Sequence, residues 1–238
     1  MELTSSIPVI QNLVYIFSSI LFILGIKMLG KESTAVKGNF LSAIAMLLAV
    51  LVTTLSLDIN LLTILVAILI GASVGSLIAL KVKMTAIPEM VALFNGFGGL
   101  ASFFIAWSQY SEPNINLFQT VIVMLTVYIG GLTFSGSLIA YGKLAEKIKL
   151  GKGSLLTNIF ISAFYLSLLM LVFVLIDPVF FNFLDNQPTL FYVFLSFTIL
   201  AGLGFVLPIG GGDMPVVISL LNSLSGIAAA FAGLLLLN

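Results

Sequence analysis

The chain has 238 residues, of which 61% are hydrophobic and only 8% are charged, and its formal net charge is zero. A soluble domain carries about 25% charged residues, so this composition cannot cover a water-soluble surface and predicts an all-α integral membrane protein embedded in lipid. Zero net charge gives no reason to expect nucleic acid as a partner. The absence of cysteine and histidine excludes disulfides, thiolate chemistry and the usual zinc or haem ligands.

Apolar stretches of about 20 residues, the length that crosses a bilayer, follow one another along nearly the whole chain. They predict a single membrane domain over residues 1–238, built as a bundle of about eight transmembrane helices. The predicted spans lie near residues 7–29, 40–57, 61–80, 88–107, 117–141, 155–176, 190–207 and 215–237. Pro88 and Pro215 fall in the first turns of their helices, where a missing N–H costs nothing.

The basic residues predict how the chain is oriented in the membrane. All nine lie on odd-numbered connections: Lys27, Lys31, Lys37, Lys81, Lys83, Lys143, Lys147, Lys149 and Lys152. The even-numbered connections carry acidic residues instead: Asp58, Glu112, Asp177 and Asp185. Lysines in short loops stay on the cytoplasmic side. The pattern therefore predicts cytoplasmic lysine-bearing loops and an N-terminus outside, and an eighth span would leave the C-terminus outside as well.

Polar residues within the fourth and fifth spans are candidates for a site, because polar groups in hydrocarbon usually face the bundle interior or a wet path. The fourth span carries Glu89 near its start and Asn95 deeper. These two are equally compatible with helix packing and with transport. The fifth span places Thr126, Thr133, Ser137 and Tyr141 on one face. Such a stripe is more often packing than pathway, since these hydroxyls commonly bond their own backbone.

Three further features lie in the third span, the last span and the loop before the last span. Gly71 and Gly75 form a small-xxx-small pattern that lets helix backbones approach closely. The last span has Ser219, Asn222, Ser223 and Gly226 on one face. The Asn222 amide there is either a clamp between helices or a group that holds water. The run Gly210-Gly-Gly-Asp213 predicts a flexible turn with a lone carboxylate, and loops of this kind often contact a partner.

The segment Gly211–Gly226, with its Gly-Gly-Asp-Met-Pro start, resembles the membrane part of the beta subunit of proton-translocating NAD(P) transhydrogenases. Residues 84–95, which include Ile-Pro-Glu-Met-Val and end at Asn95, resemble that family's fourth beta-subunit span. Residues 133–144, with Thr-Phe-Ser-Gly-Ser followed by Tyr-Gly-Lys, resemble its fifth span. The three segments occur in the family's order across most of the chain.

The resemblance implies a membrane bundle in which inward proton flow drives hydride transfer from NADH to NADP+. It implies that this chain binds no cofactor, and that NADP(H) and NAD(H) sit on partner domains of the complex. The implied partners are a transhydrogenase alpha subunit and an NADP(H)-binding domain, in a dimer of alpha–beta units surrounded by lipid in the cell inner membrane. We expect the chain to lack the C-terminal NADP(H)-binding domain and the family's last, ninth, transmembrane helix.

The resemblance also implies roles for five residues. Asn95 stands where many family members have a histidine on the proton path. Because an amide does not exchange a proton near neutral pH as histidine does, Asn95 is expected to orient a water. Ser137 and Asn222 match polar positions of the same path, and waters are expected to bridge the three residues. Glu89 and Asp213 match cytoplasmic-side carboxylates, of which Asp213 would face the NADP(H) domain.

Two other interpretations remain open on the residues alone. The polar stripes equally permit a secondary transporter or channel subunit of another family, although transporters usually show internal repeats and no convincing repeat relates the two halves. A purely structural membrane scaffold fits the glycine-rich faces but leaves the segment Gly211–Gly226 unexplained. For the proton-path interpretation, a bulky apolar residue in place of Asn222 is expected to abolish proton-linked turnover.

Overall fold

A computed structural model describes residues 2–56, 61–110, 115–149, 153–176 and 188–236 of the chain. Those residues form eight α-helices and no strand. The helices are α1 (Glu2–Leu29), α2 (Glu32–Ser56), α3 (Leu61–Lys81), α4 (Ile87–Tyr110), α5 (Leu117–Leu144), α6 (Leu155–Ile176), α7 (Pro188–Val206) and α8 (Met214–Leu235). A short 3-10 turn precedes α4 at Met84–Ala86, and another precedes α8 at Gly211–Asp213.

The described helices confirm the predicted fold class of an all-α membrane protein with about eight helices. Seven of them are long and apolar enough to cross a membrane, and the apolar part of α7, Phe191–Val206, is shorter. Because a helix satisfies all its backbone hydrogen bonds internally, it is one of the few structures that can cross lipid.

Several helices run beyond the apolar stretches that predicted them. α2 begins at Glu32 rather than near residue 40, and α5 continues to Leu144. Apolar residues mark the part of a helix that lipid can cover, whereas residues such as Glu, Ala and Lys continue the helix into the polar region. The Thr34 hydroxyl strengthens the α1–α2 turn by donating to the Met28 carbonyl at 2.6 Å. Five charged residues of the predicted loops lie outside the described residues: Asp58, Glu112, Lys152, Asp177 and Asp185.

The chain divides into two compact units, residues 1–80 and 81–238. In the first unit α1 packs along α2. A Cβ at Gly38 would lie 2.7 Å from the Gly25 carbonyl oxygen, so the two backbones are in direct contact there. No residue of α3 is buried, and nothing in the described chain lies within 4 Å of a Cβ built at Gly71 or Gly75. The described chain therefore does not use the small-xxx-small pattern of α3 for packing.

The second unit is arranged around α5, which packs against α4, α7 and α8, while α6 packs mainly against α7. More than half of the α5 residues are buried. The backbones of α4 and α5 are in direct contact at Gly99 and Gly130, where a Cβ at Gly99 would lie 2.9 Å from the Gly130 carbonyl oxygen. Glycine is needed at this crossing because any side chain would push the helices apart.

Candidate functional site

A buried hydrogen-bonded cluster joins three helices of the second unit. Asn95 of α4 is only 8% exposed, and its Nδ2 donates to the Ser137 Oγ of α5 at 3.0 Å. The Ser225 hydroxyl of α8 donates to the Asn95 Oδ1 at 2.7 Å. We call these three residues the Asn95 cluster. Asn95 thus has a partner on each side, as a buried amide requires.

The backbone of α4 brings Asn95 within reach of α5. The next residue is Gly96, and a Cβ there would lie 3.1 Å from the Ser137 Cβ and 3.3 Å from the Phe134 carbonyl oxygen. One turn further along α4, Gly99 is in contact with Gly130 of α5. Because small residues on both sides let the two helices touch, the short amide side chain spans the remaining distance to Ser137.

The Asn95 cluster can reverse its hydrogen-bond polarity without a titratable group. An amide offers both donors and acceptors, and each serine hydroxyl can donate and accept. A half turn of the Asn95 amide therefore exchanges donor and acceptor toward both Ser137 and Ser225. Ser225 keeps an acceptor in either arrangement, because its hydroxyl also lies 2.8 Å from the Asn222 carbonyl oxygen.

The structure brings Asn95 and Ser137 together but places the Asn222 side chain elsewhere. Asn222 lies on an exposed face of α8 and meets the Asn95 cluster only through its backbone carbonyl. The same exposed face carries the residues that were grouped with it from the sequence: Ser219, Ser223 and Gly226. The side chain of α8 that reaches Asn95 is that of the partly buried Ser225, which sequence reasoning did not single out. The sequence feature that could have identified Ser225 is its position in the segment Gly211–Gly226, one helical turn after Asn222.

Glu89 and Asp213 lie at the ends of their helices and not in the Asn95 cluster. Glu89 is partly buried in the first turn of α4, six residues before Asn95 and thus about 9 Å away along the helix axis. Asp213 is exposed in the 3-10 turn that leads into α8. Both carboxylates therefore sit on the side of the bundle where α4 and α8 begin and where α5 ends.

Lys143, which sequence reasoning used only as a charge that orients the chain, has a specific place at this end of the bundle. It lies in the last turn of α5, is 8% exposed, and its Nζ donates to backbone carbonyls of Leu207 and Ile209, with that of Val206 at 3.4 Å. The last carbonyls of a helix lack partners within it, and a cation there also suits the helix dipole. Lys143 thus caps α7 immediately before the loop that contains Asp213.

The fold and the Asn95 cluster together define a multi-pass helical membrane protein with a polar cluster inside the bundle of its second unit. The family model for the NAD(P) transhydrogenase beta subunit matches residues 11–238. Two Rhodospirillum rubrum sequences named NAD(P) transhydrogenase subunit beta are each 35% identical over 234 residues, covering 94% of this chain and 49% of their own length.

The chain therefore belongs to the NAD(P) transhydrogenase beta-subunit family, and the resemblance found in the sequence is confirmed. The chain spans about half the length of the curated relatives it matches. The family match covers nearly the whole chain, and it does not favour the interpretation as a transporter or channel subunit of another family.

Proposed function

We propose that this chain forms the proton-translocating membrane part of an NAD(P) transhydrogenase beta subunit. In this proposal inward proton flow through the second unit is coupled to hydride transfer from NADH to NADP+, of the Re/Si-specific class, on domains outside the membrane. Membership of the family supports the assignment. The observation that carries it is the Asn95 cluster, which joins polar side chains of three helices inside the bundle, where polar groups of a membrane protein commonly mark a proton or ion path.

The arrangement described by the structure corresponds to a closed path in this proposal. The direct 3.0 Å bond between Asn95 and Ser137 leaves no room for a water between them. Opening requires α4 and α5 to separate so that a water, with hydrogen bonds of about 2.8 Å to each side, replaces the direct bond. The proton then moves on waters and on the Ser137 hydroxyl. Asn95 holds the water in place and carries no charge, because an amide does not titrate near neutral pH.

The remaining predicted residues have supporting roles in the proposal. Asn222 presents its amide on the exposed face of α8, where it is available to water or to another helix, while its carbonyl is the alternative acceptor of the Ser225 hydroxyl. Glu89 and Asp213 provide carboxylates at the end of the bundle where α4 and α8 begin. Asp213 would respond to the occupancy of the NADP(H)-binding domain.

The complex that this proposal requires contains an alpha subunit with an NAD(H) site and an NADP(H)-binding domain, arranged as a dimer of alpha–beta units in the inner membrane. The lysine-bearing loops would face the cytoplasm, with the N-terminus outside. Coupling requires that the nucleotide states stabilise different arrangements of the bundle. Lys143 offers a mechanical route for this coupling, because it ties the end of α5 to the segment that leads into Asp213.

The proposal is tested by reconstituting the chain with an alpha subunit and an NADP(H)-binding domain in proteoliposomes and measuring hydride transfer from NADH to NADP+ with and without an imposed proton gradient. The gradient stimulation is the factor by which the imposed proton gradient raises the rate of hydride transfer. Asn95→Leu and Ser137→Ala are each expected to lower it at least about tenfold, because the free energy of one buried hydrogen bond corresponds to a factor of about ten. Hydride transfer without the gradient should persist, because the nucleotide sites are elsewhere.

Ser135→Ala is the matched control for these variants. Ser135 is buried on the same helix, but its hydroxyl bonds to its own backbone at the Gly131 carbonyl, 3.0 Å away. Its loss should leave the gradient stimulation unchanged. Full stimulation in both Asn95→Leu and Ser137→Ala would contradict the proposed proton path.

A further inference from the structure

The Thr133 side chain of α5 carries a buried hydroxyl with no hydrogen-bond partner among the described residues. Thr133 is fully buried. Buried hydroxyls in proteins are nearly always paired, so an unpaired one calls for an explanation. The same chain contains another such hydroxyl, at Ser18 of α1.

Other hydroxyls of α5 form a hydrogen bond to their own helix that the Thr133 hydroxyl does not form. A serine or threonine inside a helix commonly donates to the carbonyl four residues before it. Thr126 does so toward Ile122 at 2.6 Å, and Ser135 does so toward Gly131 at 3.0 Å. Thr133 makes no such bond to the carbonyl of Ile129. Its hydroxyl is therefore available to a partner that the helix itself does not supply.

Thr133 lies one helical turn from Ser137 and faces the same neighbour, α4. A Cβ at Gly99 of α4 would lie 3.0 Å from the Thr133 Cβ and 3.1 Å from its Cγ2. Thr133 thus stands at the crossing of α4 and α5, on the side of Ser137 that is away from Lys143. This crossing is the place where the two helices must separate if the path is to open.

The spacing between Thr133 and Ser137 suits a single water. Residues four apart on a helix have Cβ atoms about 5–6 Å apart, and a water that makes two hydrogen bonds of about 2.8 Å spans this distance. The Ser137 Oγ accepts from Asn95, and within the described residues its own hydrogen has no acceptor. Both hydroxyls can therefore bind the same water.

We propose that Thr133 is the next hydrogen-bonding step of the proton path beyond the Asn95 cluster, and that its ligand is a water admitted when α4 and α5 separate at Gly99 and Gly130. This inference rests on the proposed function. In the transfer step this water, which has received the excess proton, gives a proton to the Thr133 Oγ1 and is left neutral, while the hydroxyl hydrogen passes to the next water, which then carries the excess proton. The threonine is therefore neutral before and after the step.

The test uses the complete reconstituted complex and compares Thr133→Val with Thr133→Ser. Valine keeps the shape of threonine and removes the hydroxyl, whereas serine keeps the hydroxyl. We expect valine to lower the gradient stimulation of hydride transfer about tenfold, comparable to losing one hydrogen bond, and serine to retain most of it. The thermal unfolding midpoint (Tm) of Thr133→Val should be unchanged or higher, because the variant removes an unpaired buried polar group.

Two control variants separate a path from packing. Thr126→Val removes a buried hydroxyl that is already bonded to its own helix, and Ser18→Ala removes the unpaired hydroxyl of the first unit. Both should leave the gradient stimulation unchanged. Full stimulation in Thr133→Val, together with its loss in Asn95→Leu, would overturn the role of Thr133 while the proposed function stands. Full stimulation in Thr133→Val, Asn95→Leu and Ser137→Ala alike would overturn the proposed function itself.

Discussion

The α1–α2 pair of the first unit and the α5-centred bundle of the second unit use similar apolar sequences in different ways. In the pair, most large apolar side chains are exposed, and the helices touch at Gly25 and Gly38. Among the described residues of the pair, a hydrogen bond between side chains of the two helices joins the Tyr15 hydroxyl to the Thr53 Oγ1 at 2.8 Å. In the bundle, α5 is largely buried and lined by hydroxyls and glycines. The difference teaches that a helix that can line a polar path is distinguished from a lipid-facing helix by how much of it is buried against other helices, and not by how hydrophobic its sequence is.

The polar contacts of the bundle form a sequence along α5, from the Tyr128–Ser167 hydroxyl pair through the Asn95 cluster to the Lys143 cap. Each of these contacts joins α5 to a different part of the bundle. In a membrane, such bonds between helices stabilise a packing arrangement that apolar contacts alone do not specify, since lipid is as apolar as the helices. The bundle is therefore where substitutions should affect both stability and coupling.

The largest expected effect comes from Gly202→Ala in α7. A Cβ at Gly202 would meet the Leu132 carbonyl oxygen and the Ser135 Oγ, and it would lie 2.6 Å from the Gly136 backbone nitrogen. Because the obstacles are largely backbone, α7 must move away from α5, at a cost of about 1–3 kcal/mol or more. The Tm of the purified chain in detergent should fall.

Two glycine variants of the first unit sharpen this comparison. Gly38→Ala should lower hydrogen-exchange protection in α1 and α2 and leave α5 unaffected, because its clash is with Gly25. Gly75→Ala should leave hydrogen exchange unchanged in α1, α2 and α5, since nothing in the described chain lies within 4 Å of a Cβ at this position. An unchanged Tm for Gly202→Ala would contradict the close packing of α7 on α5.

A smaller loss is expected from Lys143→Met, which removes the cap of α7. The variant keeps the apolar stem but leaves backbone carbonyls near the end of α7 without their partner, for which a cost of about 1–3 kcal/mol is typical. Hydrogen exchange should rise at the end of α7 and in the Gly210–Asp213 loop. Lys147→Met is the control, because Lys147 is exposed. Equal exchange in the two variants would show that the cap does not hold the loop.

The smallest effect on the chain itself is expected from Gly211→Ala. Nothing in the described chain lies within 4 Å of a Cβ at Gly211, and its backbone does not adopt a positive φ. The unfolding free energy should therefore change by less than about 0.5 kcal/mol, as for an ordinary surface substitution. If a partner domain docks on this loop, gradient-stimulated hydride transfer should nevertheless fall in the complete complex. Unchanged transfer would argue against close contact at this loop.

Particular residues show how far the sequence could predict the site. The pairing of Asn95 with Ser137 joins two residues that the family resemblance had assigned to one path, and the structure brings them into hydrogen-bond contact. Ser225 could not be chosen over Asn222 in this way, because both lie on the same apolar helix and periodicity does not say which face turns inward. The burial of Lys143 was equally hidden, since a lysine at a helix end is normally solvated.

The sequence by itself determined the all-α membrane fold and the family, because apolar length and short specific segments are local properties of the chain. Only the tertiary structure decided which face of each helix is interior. It put Ser225 into the Asn95 cluster, left Thr133 without a partner and left the small-residue face of α3 unused within the described chain. The physical reason is that a membrane helix is apolar on nearly all sides, so contacts with its neighbours select the buried face.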